Sequence, residues 1–165
     1  MAFKTNLDGK SDQKADVKKY NIPVDTYEGV VKDVSDVFQS PRYKAEGTVD
    51  KVAIVVELDL KQKSGDTEEN VVVPLFATTT VSKGNPAKNM SPSKLFEVID
   101  GAGRLEDYRK TYKLWEAMNE EEANNAAVQW LKDNLVGKRV KVLTKKVKKG
   151  TPEEWSAVDK VVKFL

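Results

Sequence analysis

Hydrophobic and polar residues alternate along five stretches of the chain, and between the third and fourth the period lengthens to three and four. The clearest alternation is VDKVAIVVELDL, where Val52, Ile54, Val56, Leu58 and Leu60 take one face. Lys51, Glu57 and Asp59 take the other, beside Ala53 and Val55. TYEGVVKDVSDVF, before it, alternates less regularly. Val30, Val34 and Phe38 share a parity that Lys32 and Asp36 interrupt, and Gly29 predicts a bulge or bend. NVVVPLFATTTV predicts a third strand, in which Pro74 marks an edge or irregular point. VGKRVKVLTKKV and WSAVDKVVKFL predict the last two, joined by a turn at GTPEE. Residues 39–47 and 61–70 read as loops, the second as a ten-residue hairpin connection.

The helical period fills the region from about residue 92 to 134. Ser91 is the expected N-cap of a first helix, with Pro92 at its first position, Leu95, Phe96 and Ile99 on its apolar side, and Gly101 and Gly103 at its end. Leu105, Tyr108, Tyr112 and Trp115 define a second helix. Asn119 caps a third, with Glu120, Glu121 and Glu122 in its first turn and Gly137 beyond its C-terminus. The chain therefore reads as mainly β with a helical insert: three strands, helices, then two strands. That is the order of a five-stranded, partly open Greek-key barrel with helices between strands three and four. The main alternative is an α+β sheet with helices on one face. Residues 1–20 are polar and without periodicity, which predicts a flexible N-terminal arm before a single domain over 21–165.

Composition narrows the chemistry. The 165 residues contain no cysteine and no histidine, which removes disulfides, Cys/His zinc sites, thiol nucleophiles and histidine bases. No cofactor or metal is expected, and no enzyme activity. No apolar run approaches a membrane span, and the N-terminus lacks the apolar core of a secretory signal, so an intracellular protein away from the membrane is expected. The net charge is only +2, but from Leu135 onward there are nine basic and three acidic residues. Residues 136–150 alone hold seven basic residues and no acid. Charge gathered in this way suits a polyanion.

The tail LVGKRVKV with WSAVDKV resembles the last two strands of oligonucleotide-binding-fold modules. FATTTV with SPSKLFEVIDGAG resembles the third strand and following helix of single-stranded-DNA-binding proteins from phage-like replication systems. The resemblance covers the chain from about residue 25 to the end. It implies an oligonucleotide-binding fold and non-catalytic, largely sequence-independent binding of single-stranded DNA. The residues do not choose between DNA and RNA.

Such binding needs a cationic groove with aromatic platforms. Arg139, Lys141 and Lys145 share one parity of the fourth strand, opposite Val140 and Val142. Lys148 and Lys149 lie in the last hairpin loop, and Trp155 follows it. Arg42, Tyr43 and Lys44 place a ring between two cations in the other flanking loop. Lys51, Phe76, Lys83 and Lys88 are further candidates, although a residue such as Phe76 is more often core than a stacking platform. The competing explanation of the basic strand is an edge that discourages aggregation. The insert offers a different function. Tyr108, Tyr112, Trp115 and Trp130 amid Glu106, Asp107, Glu116 and Glu120–Glu122 would suit core packing or a partner protein. On that alternative the chain is an accessory module of a replication or virion assembly, with replication proteins or further copies of itself as partners. Ser91-Pro92-Ser93-Lys94 matches a serine–lysine nucleophile pattern that helix capping explains, Gly101-Ala102-Gly103 lacks a phosphate loop's third glycine, and Asp66, Glu68 and Glu69 have no fixed metal-ligand spacing.

Overall fold

Residues 18–42 and 45–165 are described by a computed structural model. They form six strands and three helices: β1 (Thr26–Val34), β2 (Phe38–Pro41), β3 (Thr48–Ser64), β4 (Thr67–Thr78), α1 (Lys94–Gly101), α2 (Leu105–Trp115), α3 (Glu120–Leu135), β5 (Arg139–Val147) and β6 (Trp155–Phe164). The fold is mainly β, an open antiparallel sheet with the helices inserted between β4 and β5.

The first periodic stretch divides into two strands. Val37 is buried at the break, and the chain stays tied to β3 through Ser35, whose N–H donates to the Ala53 carbonyl (2.9 Å) and whose Oγ accepts from Ala53 N–H (2.8 Å). β2 then pairs Phe38 with Lys51 and Pro41 with Thr48, so it takes the first three residues of the expected 39–47 loop. The irregularity expected at Gly29 falls between Val31 and Asp33. Gly29 serves a close approach instead: a Cβ there would collide with the Glu57 carbonyl oxygen across the ladder. The expected ten-residue hairpin loop is also mostly strand. Pairing continues through Gln62↔Glu69 and Lys63↔Glu68 to Ser64↔Thr67, leaving a two-residue turn with Gly65 at φ 65°.

β3 is the hub, with β1 and β2 along one edge and β4 along the other. β1 carries β5, and β5 carries β6. Among the described residues β4 has a ladder on one edge, with β3, and such an edge strand can hold Pro74. β4 and β6 stand side by side without a ladder among the described residues. The stretch 18–25 lies across this seam. The Tyr20 carbonyl accepts from Ser156 N–H (2.7 Å), Ile22 N–H donates to Ser156 Oγ (2.9 Å), and Thr144 N–H donates to the Asp25 carbonyl (3.0 Å). On the β4 side, the Tyr20 hydroxyl donates to Glu69 (3.0 Å) and Lys18 pairs with the same carboxylate. Tyr20 and Ile22 are buried, so the folded domain reaches further toward the N-terminus than residue 21. Residues 1–17 of the expected arm lie outside the described residues.

The core forms between one sheet face and the helices. Val52, Ile54, Val56 and Leu58 of β3 meet Val71, Val73 and Leu75 of β4, Leu95 and Ile99 of α1, and Leu131 and Leu135 of α3. The α1 N-cap is Ser93, not Ser91. Its Oγ accepts from Phe96 N–H (3.2 Å) and from Ser82 N–H (3.1 Å), while its own N–H donates to the Ser82 carbonyl (2.8 Å). That anchorage to the incoming loop leaves Pro92 outside the helix. Asn119 caps α3 as expected, accepting from Glu122 N–H (2.8 Å), and Gly137 takes φ 92° just past the helix end. Among the described residues no helix is long and apolar enough to cross a membrane.

Candidate nucleic-acid interface

The face of β3 and β4 that turns away from the core is not uniformly polar. Alternation sends Ala53 and Val55 to this outer face, and pairing sets them opposite Phe76 and Pro74. β2 adds Phe38 from the other edge of β3, and β6 adds Trp155 across the seam. The result is an open cleft of about 360 Å³, floored by Ala53, Val55, Val72 and Pro74 and walled by rings. Phe38 meets Phe76 edge-on at 6.1 Å between centroids, and Phe76 meets Trp155 at 6.0 Å, also edge-on. All three rings are partly exposed.

Cations rim this cleft. Lys19 Nζ lies 5.1 Å from the Trp155 ring centroid, within cation–π reach. Lys148 lines the cleft from the β5–β6 hairpin with a left-handed backbone, φ 55°. The hairpin holds it there: the Lys148 carbonyl accepts from the Thr151 hydroxyl (2.7 Å), and Lys148 Nζ pairs with Glu153 at 2.9 Å. That ammonium holds the Glu153 carboxyl below the usual glutamate range. Lys51, cross-strand neighbour of both Phe38 and Thr78, stands on the same face next to the Ala53–Phe76 pair.

At the other end of β3 the outer face turns acidic and its acids are matched. Glu57 pairs with Lys32 (2.9 Å), and Asp59 accepts from both terminal guanidinium nitrogens of Arg139, which also reaches Glu28 (3.6 Å). The guanidinium holds Asp59 below the usual aspartate range. Asp59 is four residues past Val55, about 13 Å along a strand.

Of the residues expected from the sequence, the fold brings Phe76, Trp155 and Lys148 into the cleft, sets Lys51 beside it, and exposes Lys149 in the same hairpin. Arg139 is engaged at the far acidic end. Lys141 and Lys145 are on the outer side of β5, opposite Lys163 and Ala157 of β6. Arg42 is exposed just past β2, with Tyr43 and Lys44 outside the described residues. Lys83 and Lys88 lie in the segment after β4 and do not line the cleft. Two cleft residues escape a reading of the sequence. Phe38 carries the parity of Val34, which the register shift between Val31 and Asp33 turns into the core, and the break at 35–37 turns Phe38 outward again. Lys19 looks like part of a featureless polar arm.

The insert builds a second, smaller cleft of about 250 Å³ between helices and sheet, lined by Val37, Leu95, Tyr108, Tyr112, Trp115 and Val128 among others. Its aromatic residues pack on one another, with Tyr108 5.4 Å from Trp130 and 5.7 Å from Trp115, and the Trp130 indole N–H donates to Asp107 (2.9 Å). Burial pushes the Tyr108 hydroxyl up to about 12. Glu69 of the 66–69 acidic cluster is taken by Lys18 and Tyr20, and among the described residues no group of carboxylates is arranged to hold a metal.

No family model, no curated protein and no solved structure matches this chain. The functional reading rests on the geometry of the clefts.

Proposed function

We propose that the protein binds single-stranded DNA without catalysis and with little sequence preference. The observation that carries this reading is the meeting of Phe38, Phe76 and Trp155, from three separate strands, in one open apolar cleft rimmed by Lys19 and Lys148, with Lys51 on the same face beside it. Rings offer faces on which any base can stack, and lysines offset the phosphate charge. A strand order of β6-β5-β1-β3-β4, with the helices between β4 and β5, supports reading the sheet as an oligonucleotide-binding barrel left open at the β4–β6 seam. The β5–β6 hairpin, which supplies Lys148 and leads into Trp155, is one of the loops that flank the ligand in that fold.

Titration of oligo-dT against intrinsic tryptophan fluorescence tests the proposal. Binding should quench the wild-type signal and weaken in Trp155→Ala, with oligo-dA and oligo-dC bound within a few-fold of oligo-dT. A competing oligo-rU arm distinguishes DNA from RNA as the favoured strand.

One observation favours a second reading, that of a protein-interaction module. Tyr112, which lines the second cleft, and Leu114 and Met118 are exposed large apolar residues of the acidic insert. On that reading the wild type associates in light scattering and Leu114→Glu dissociates it. A monomer in both cases removes it.

A further inference from the structure

The basic run is not one surface. Its members divide by whether the fold supplies them with an acid. Arg139 is matched by Asp59 and Glu28, Lys146 by Glu154 (3.6 Å) and Lys148 by Glu153. The remaining acid of the two last strands, Asp159, is matched by Lys94 (3.9 Å) of α1. Every carboxylate on β5, β6 and their hairpin is thereby used. Lys141, Lys145, Lys160 and Lys163 are left without an ion pair among the described residues.

Those four form a band. Register sets Lys141 directly opposite Lys163 and Lys160 opposite Leu143, and cross-strand partners project to the same side. The inner side at this level holds Val140, Val142 and Val158 in the core, so the lysines face outward. The band starts at the cleft: Val147 and Trp155 are cross-strand partners, and Lys145 opposite Ala157 comes next. It runs eight residues to Lys163, about 26 Å along a strand. It ends near Arg139 and Asp59, and Glu28 of β1 flanks it opposite Lys141. Like charges set directly opposite cost stability: Lys141 has Lys163 on one side, and on the other Glu28 of β1, whose carboxylate is engaged by Arg139.

We infer that this band is the exit track of the bound strand: single-stranded nucleic acid stacked in the cleft continues along the outer face of β5 and β6, with its phosphates on Lys145, Lys160, Lys141 and Lys163. The inference rests on the cleft reading and adds a direction and a footprint to it. Bases stack at Phe38, Phe76 and Trp155, and beyond Trp155 the protein touches the backbone alone. A short oligomer occupies only the cleft, whereas a long one fills both.

The test compares oligo-dT of about 4 and about 16 nucleotides, the range a module of this kind spans, on the wild type and on Lys160→Gln/Lys163→Gln. Affinity is measured by fluorescence anisotropy from ~50 to ~200 mM salt. The wild type should bind the long oligomer with the steeper salt dependence. In the variant the slope of log K against log salt for the long oligomer should fall by about 1.4, or 0.7 for each phosphate no longer neutralised, with the short oligomer unchanged. Thermal melting guards against a folding artefact, and the midpoint should hold or rise because Lys163 no longer faces Lys141. An unchanged slope for the long oligomer overturns the track and leaves the band as a solubilising edge. An equal loss for both lengths also overturns it, because the lysines then act on the cleft itself. If the wild type binds neither oligomer, the cleft reading has failed and the track falls with it.

Discussion

Trp155 is held from three sides. Its backbone pairs with Val147 at the start of β6, its ring meets the edge of Phe76, and Lys19 lies over it. Removing the ring should therefore cost binding more than folding. Trp155→Ala and Phe76→Ala should each weaken oligo-dT binding by about 1–3 kcal/mol, roughly 5- to 150-fold, with far-ultraviolet circular dichroism unchanged. Gly29→Ala should do the reverse. Its Cβ would strike the Glu57 backbone, and overpacking of this kind costs about 1–3 kcal/mol, measurable as a lower urea midpoint. At this scale the sequence is informative where charge or ring type speaks for itself, as at Lys148 and Trp155. It fails where a neighbour's geometry decides. Phe38 shares the parity of the buried Val34, and it reaches the cleft because the chain breaks between them.

The elements are legible to the extent that their ends are set locally. Asn119 marks the start of α3 because its side chain satisfies a donor three residues away, a relation visible in the sequence. Ser91 and Ser93 look alike to the same reasoning, and what separates them is a hydrogen bond with Ser82, eleven residues before Ser93. Ser93→Ala should cost about 1 kcal/mol in urea denaturation and Ser91→Ala close to nothing. The β3–β4 hairpin is underestimated for a related reason: its polar residues pair across strands, and a run of charge and glutamine resembles a loop until the register is known. The insert makes a pH prediction. Burial favours the neutral phenol of Tyr108, so its folded pKa of about 12 lies above the unfolded value. Between those two values the unfolded chain holds fewer protons, so the stability from this group is complete below pH ~10 and declines as pH rises toward 12. Spectrophotometric titration should find one tyrosinate appearing late, near the pH at which thermal stability falls. A Tyr108 that ionises near pH ~10, as a free phenol does, contradicts its burial.

For the whole molecule, the net charge of +2 conceals an organised surface. The acids of the outer face are matched at one end of β3, the cleft opens at the other, and four unmatched lysines continue from it along β5 and β6. The order of strands and helices could be read from the periodicity, apart from the break that makes β2 a strand of its own. The closing of the β4–β6 seam by residues 18–25 could not, since Tyr20 and Ile22 are held by partners more than 45 residues away. The central claim is that this surface binds a single strand through rings and cations together. Oligo-dT titration of the tryptophan fluorescence at two salt concentrations tests it most directly. The account predicts quenching at ~50 mM salt and a loss of affinity of an order of magnitude or more at ~200 mM. No binding at ~50 mM, or binding indifferent to salt, would contradict it.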